Sequence, residues 1–207
     1  MKTIAMRFPK ILFFLVVPLL IELVAACCDC PEPVLKQYTH KTFAVTELDN
    51  SQADAMESPT DTIDKNALGI RLMLEYEKLA MAIPLRFRCM NTAVAFSCRC
   101  PPETAYEPKD SITSLKIYTL FDFDNTHPGG SDITEYFFQY KNNSYLAIVN
   151  IMHALNSTLR YENDFNQSID LLLMHAPPAS SNQQFQVILD LSDGRQITLT
   201  TAKIWLV

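Results

Sequence analysis

Phe185-Gln-Val-Ile-Leu-Asp-Leu-Ser-Asp-Gly-Arg-Gln-Ile-Thr-Leu-Thr200 is the stretch on which the fold class turns. Phe185, Val187, Leu189 and Leu191 stand at every second position, the spacing that puts side chains on one face of a strand. Ile197 and Leu199 open a second set with the same period. A two-residue Asp193-Gly194 turn would set Leu189 opposite Thr198 and pair inward residues with outward ones. A three-residue Ser192-Asp193-Gly194 loop sets Leu189 opposite Ile197 and Val187 opposite Leu199, with Gly194 in the left-handed conformation of a G1 bulge. The residues therefore predict an antiparallel hairpin near the C-terminus. Beyond it Trp205 is expected as a core anchor, because so large an apolar ring is normally buried, with an exposed ligand-stacking role as the alternative.

Working upstream, Ser168 to His175 reads as a strand closed by Pro177-Pro178, and Ile112 to Phe123 as another, rich in β-branched and aromatic residues. Ile70, Leu72, Leu74 and Tyr76 alternate with Arg71, Met73, Glu75 and Glu77, again a half-buried strand. Thr42 to Leu48 predicts a strand with Phe43 and Val45 on one side, and Asp49 to Gly69, lacking an apolar period, a long loop. Between the strands, Asp132 and Glu135 form a capping-box-like start, and Ile133, Tyr136, Phe137 and Tyr140 follow at helical spacing. Tyr145 to Leu155 predicts a second helix with Ile148, Ile151, Met152 and Leu155 on one stripe. The fold class expected is mainly β with a helical insertion (α+β): an antiparallel β-sandwich-like sheet with two short helices and a C-terminal β-hairpin.

Composition narrows the function classes. The chain has 207 residues, 48% of them hydrophobic, enough to bury one sizeable core. Its only glycines, at positions 69, 129, 130 and 194, leave no room for GxGxxG or GxxxxGK[ST], so phosphate loops of those types are excluded. A formal net charge of -6 argues against a nucleic-acid partner, which a basic surface would have to attract.

The first residues carry an address. Lys2, Arg7 and Lys10 precede an unbroken apolar run from Ile11 to Ile21, the pattern of an export signal and too short to span a bilayer. Val24-Ala25-Ala26-Cys27 follows, and it resembles a bacterial lipobox. That resemblance implies cleavage before Cys27 and acylation of its thiol, with three chains to hold the protein on a membrane. The domains expected are thus a lipoprotein signal peptide over 1–26, a cysteine-containing tether over 27–41, and a single β-rich globular domain over 42–207. Loss of Lys2, Arg7, Lys10 and Glu22 leaves 14 basic against 22 acidic residues, a net of -8. An acidic body gains nothing from anionic lipid, so the acyl chains would do the anchoring.

Five cysteines remain: Cys28 and Cys30 in Cys-Asp-Cys-Pro-Glu-Pro, Cys98 and Cys100 in Cys-Arg-Cys-Pro-Pro-Glu, and Cys89 alone. An oxidising compartment makes disulfides the default. The pairing stays open, with at least one bridge expected between the N-terminal pair and the Cys89 to Cys100 region. Four thiolates from the two CxC pairs offer a zinc sphere as an alternative, but the spacing is tighter than structural zinc sites use.

No cofactor-binding motif, HExxH or GxSxG is present. Asp122, Asp124, Asn125 and Asp132 cluster around a loop but depart from a calcium-loop pattern, and the histidines at 40, 127, 153 and 175 are scattered. With the lipobox, CDCPEP, CRCPPE, LFDFDNTHP and LSDGR segments together, the chain resembles a family of uncharacterised lipoproteins of about this length from gut Bacteroidetes. The most specific residues are Cys28, Cys30, Cys98, Cys100, Asp122, Asp124, Asn125, Pro128, Asp193 and Gly194. The resemblance implies a location and a shared fold, and no catalytic residue. The function expected is a non-enzymatic module at the outer membrane, on its periplasmic or surface face, held there through acyl chains on Cys27. It would bind a protein or glycan partner or play a structural role. The alternatives are an exported hydrolase using Asp122, Asp124 and His153, and a thiolate metal protein.

Overall fold

In a computed structural model of the chain, the residues described are 34–52, 54–79, 104–157, 160, 161, 165 and 168–207. The contact pattern divides the chain into two units, and the fold described here is that of the unit built from residues 35–81 and 105–207. Cys27, Cys28, Cys30, Cys89, Cys98 and Cys100, the export signal and most of the expected tether lie outside the described residues.

The unit is mainly β. Its first strand, β1 (Val34–Asp49), pairs antiparallel with β4 (Leu68–Leu79), setting Phe43 opposite Leu74 and Val45 opposite Leu72. β4 pairs in turn with β9 (Ser168–Leu173), which sets Ile70 opposite Leu171 and Leu72 opposite Ile169. β7 (Phe137–Lys141) continues the sheet beyond β9, and β8 (Ser144–Ala147) closes its edge. β2 (Met56–Glu57) and β5 (Thr104–Pro108) attach to β1. A second sheet has the order β12 (Gln196–Thr200), β11 (Phe185–Leu191), β6 (Ile112–Thr119), and a third joins β10 (Ser181–Gln183), β13 (Ile204–Leu206) and β3 (Thr62–Ile63). Leu72 and Leu171 from the first sheet, Ile117, Val187 and Leu189 from the second, and Leu206 from the third meet in one hydrophobic cluster. Each of these side chains is at most 1% exposed. Burial of this kind contributes roughly 1.5–3 kcal/mol per large apolar side chain.

β11 and β12 join through Ser192-Asp193-Gly194, with Leu189 opposite Ile197 and Val187 opposite Leu199, the register expected from the inward sets. Gly194 has φ +86°, and its N–H donates to Leu191 O at 3.0 Å. This hairpin is not the last element, because the chain continues into β13. There Ile204 and Leu206 take the inward positions, and Trp205, expected in the core, is 41% exposed between them. Strand alternation allows only one of the two sets to face in.

Three further expectations need correction. Residues 34–41, assigned to the tether, belong to β1, and Tyr38 and His40 are buried. A bulge between His40 and Thr42 shifts the inward phase from positions 38 and 40 to positions 43 and 45, which breaks the apparent period. The long loop from Asp49 to Gly69 contains β2, β3 and the start of β4, and it buries Ile63 and Leu68.

The largest difference concerns the helical insertion. The expected first helix is a single 3-10 turn (Thr134–Tyr136) followed by the β7–β8 hairpin, so among the described residues one helix, α1 (Ile148–Ser157), remains. Ile133 and Phe137 are buried, as either reading requires, but Tyr140 is 53% exposed. Asn142 and Asn143 have φ of 52° and 58°, the two left-handed residues of a tight two-residue hairpin turn between the paired Lys141 and Ser144. Asparagine tolerates that conformation, whereas a β-branched residue pays about 1–2 kcal/mol for it. Asn143→Gly is therefore expected to hold or raise stability in urea denaturation, and Asn143→Val to lower it by about 1–2 kcal/mol. A helical segment ending at this point would tolerate valine without such a loss.

Candidate functional site

A groove of about 590 Å³ opens between β6, the 3-10 turn, β7–β8 and α1. The polar lining comes from Thr113, Ser114 and Lys116 of β6 and from Asp132, Thr134 and Glu135 before and within the turn. The apolar lining comes from Leu115, Phe137, Phe138, Ala147, Ile148, Val149 and Met152. The polar lining is internally braced. Lys116 Nζ donates to Asp132 Oδ2 at 2.7 Å, Thr134 N–H donates to Asp132 Oδ1 at 3.0 Å, and Ile117 N–H donates to Thr134 Oγ1 at 2.9 Å. Partial burial raises the Asp132 carboxyl, but the hydrogen bonds from Lys116 and Thr134 outweigh it and hold the group below the ordinary carboxylate range. The lining thus presents the Lys116 ammonium and the Asp132 carboxylate held against each other, together with the exposed Glu135 and with Val149, which is 62% exposed.

The acidic loop after β6 is organised by hydrogen bonds within itself. Asp122 Oδ1 accepts from Gly129 N–H at 2.9 Å, and Asp124 Oδ1 accepts from the amides of Thr126 and His127 at 2.7 and 2.9 Å. The hydrogen bond from the Thr126 hydroxyl, with those from the two amides, holds the Asp124 carboxyl well below its usual range. His127 Nδ1 lies 2.9 Å from both Asp124 oxygens, and the Tyr136 ring stands edge-on to the imidazole at 5.2 Å. Asp124 is thus paired with His127, while His153, its partner in the hydrolase reading, is exposed on α1. A carboxylate on Nδ1 orients an imidazole as in a general-base pair. The same carboxylate carries the turn amides, so it acts first as the loop's staple. Asn125 is exposed, and among the described residues no group of three or more His, Cys, Asp or Glu side chains is gathered to hold a metal ion.

A third cluster was not legible as a site. Arg195, next after the hairpin loop, donates from Nη1 to His40 O at 2.6 Å, from Nη2 to Asp110 Oδ2 at 2.8 Å and from Nε to Asp193 Oδ2 at 2.6 Å. It ties the β11–β12 loop to β1, which gives Asp193 and Gly194 a structural role. The Asp110 side chain is 2% exposed. His40 is 1% exposed among the rings of Tyr38 and Tyr76, and neither ring nitrogen has a hydrogen-bond partner among the described residues. Burial pushes the His40 imidazole down to about 4, against a smaller opposing effect of Asp110, and pushes the Tyr76 phenol up to about 12.

Two outcomes follow for stability. In the unfolded chain His40 titrates near 6.5, so its contribution is full above that pH and is lost as pH falls from about 6.5 towards about 4. Chemical denaturation should show a loss of roughly 2 kcal/mol between pH 7 and pH 5, and His40→Phe should remove most of that slope. Arg195→Ala leaves the buried Asp110 carboxylate without its cation and is expected to cost about 2–3 kcal/mol at pH 7.

No curated protein and no solved structure matches the chain. The family model described as a domain of unknown function (DUF5034) matches residues 40–202, from His40 in β1 to the residues just past β12. It takes in the groove and the acidic loop, and of the Arg195 cluster all but Tyr38; by this match the chain belongs to the DUF5034 family.

Proposed function

We propose that the protein is an exported lipoprotein, acylated at Cys27, whose sandwich-like β-rich domain binds a partner in the groove between β6, β7–β8 and α1. The mixed lining of the groove carries the binding reading. It combines the braced Lys116–Asp132 pair with apolar surface, the combination that ligand sites use to fix orientation and to exclude water. The anchoring reading rests on the leader, the apolar run and Val24-Ala25-Ala26-Cys27. The outer membrane is the proposed location, on its periplasmic or surface face, with one or more disulfides among Cys28, Cys30, Cys89, Cys98 and Cys100 closing the N-terminal region onto the chain. The mature body carries a net charge of -8, so its attachment would depend on acyl chains and persist in high salt.

Expression of the full chain in a bacterium with lipoprotein processing tests this directly. The expected product sits in the membrane fraction, resists salt extraction, and has the intact mass of a chain beginning at an acylated Cys27. Cys27→Ser should leave that fraction. A full-length chain retaining Met1 in the cytosol, with every thiol open to alkylation, would contradict the proposal.

A further inference from the structure

We infer that the groove takes an uncharged oligosaccharide, and that Tyr140 and Tyr145 on the β7–β8 hairpin are its stacking platform. This rests on the reading of the groove as a binding site. Tyr140 and Tyr145 are each 53% exposed, stand directly opposite one another in the hairpin register, and hold their rings 5.1 Å apart at 48°. Residues two apart on a strand share a face. Tyr140 follows Phe138 by two positions and Tyr145 precedes Ala147 by two, and Phe138 and Ala147, themselves opposite in register, both line the groove. The tyrosine pair therefore extends the apolar lining about 7 Å along the hairpin towards its tip.

The chemistry of the lining selects the occupant. A sugar ring offers apolar C–H faces and a rim of hydroxyls, so it needs flat, half-polar rings on one side and fixed donors and acceptors on the other. Tyr140 and Tyr145 supply the first, with little conformational entropy to lose. The Lys116–Asp132 pair, held at 2.7 Å, supplies the second, with Glu135 in the same lining. One cation against two carboxylates leaves that lining net negative, in a chain whose net charge is -6, which disfavours phosphorylated, sulfated or uronic ligands. A cross-strand aromatic pair also steadies a hairpin. That role needs only the contact between the rings, so it predicts no ligand and no dependence on the polar lining.

The test uses the full purified chain in detergent against immobilised neutral polysaccharides (mannan, xylan, laminarin and dextran) with polygalacturonate as the charged control. Binding to at least one neutral glycan and none to polygalacturonate is expected. Tyr140→Ala with Tyr145→Ala should weaken binding by at least about tenfold, while the double Phe variant, which keeps the rings, stays within about threefold. Glu135→Gln should weaken binding, and Trp205→Ala, an exposed ring on another sheet, should not. Thermal melting of each variant excludes loss of fold as the cause. Absence of binding to every neutral glycan, or binding that the alanine pair leaves intact, would overturn the inference. Ala147→Trp, which fills the groove, separates the two levels. If it abolishes binding of a glycan or of a peptide from a displayed library while the tyrosine pair is dispensable, the groove reading stands and the platform falls. If it changes nothing, both fall.

Discussion

The groove exists because β7 pairs with β9. Phe137 lies opposite Leu173 and Phe138 opposite Leu172, and Met174 N–H donates to Tyr136 O at 2.8 Å just beyond them. That register drives Phe137 to 1% exposure against Phe185, whose rings meet edge to face at 5.8 Å. With Phe137 fixed inward, alternation aims Phe138 the other way, and the Asn142-Asn143 turn returns the chain so that Ala147 meets it. α1 begins at the next residue, Ile148, which is itself buried. A slip of one residue in the β7–β9 pairing would reverse every side chain on the hairpin and close the site.

Much of the sheet was legible in the sequence, for identifiable reasons. The β11–β12 register could be deduced because two inward sets and one glycine left a single consistent loop length. Ile70, Leu72 and Leu74 were legible because they alternate with Arg71, Met73 and Glu75, of which only Met73 is apolar, and it faces solvent. The insertion misled because Ile133 and Phe137 are four apart, a spacing that suits a helix stripe and also suits a turn entering a strand. Asn142-Asn143 carries the chemistry of a hairpin turn, but it follows a stretch whose apolar spacing also fits a helix. Residues 34–41 were hidden by amphipathic side chains. Tyr38 and His40 look like surface residues, and the bulge after His40 breaks the period that would have joined them to Phe43.

The candidate site was legible only in fragments. Its lining comes from residues 113–116, 132–138 and 147–152, and nothing in their spacing announces that they meet in one groove. Conversely, the acidic loop that looked most like chemistry is held by its own hydrogen bonds: Asp122 caps Gly129, and Asp124 gathers Thr126 and His127. Arg195 behaves similarly, since its donors reach Asp110 and His40 O and brace the frame. Polar residues that stand out in the sequence here serve the scaffold. The proposed recognition surface is made of commonplace residues whose value comes from their arrangement.

Nuclear Overhauser contacts across residues 132–148 test the β7–β8 hairpin most directly. The account predicts strong backbone contacts between the strands at Tyr140 and Tyr145 and at Phe138 and Ala147, with slow amide exchange along the β7–β9 pair. Sequential helical contacts three residues apart from Asp132 to Tyr140, without any cross-strand signal, would contradict it and remove the groove with it.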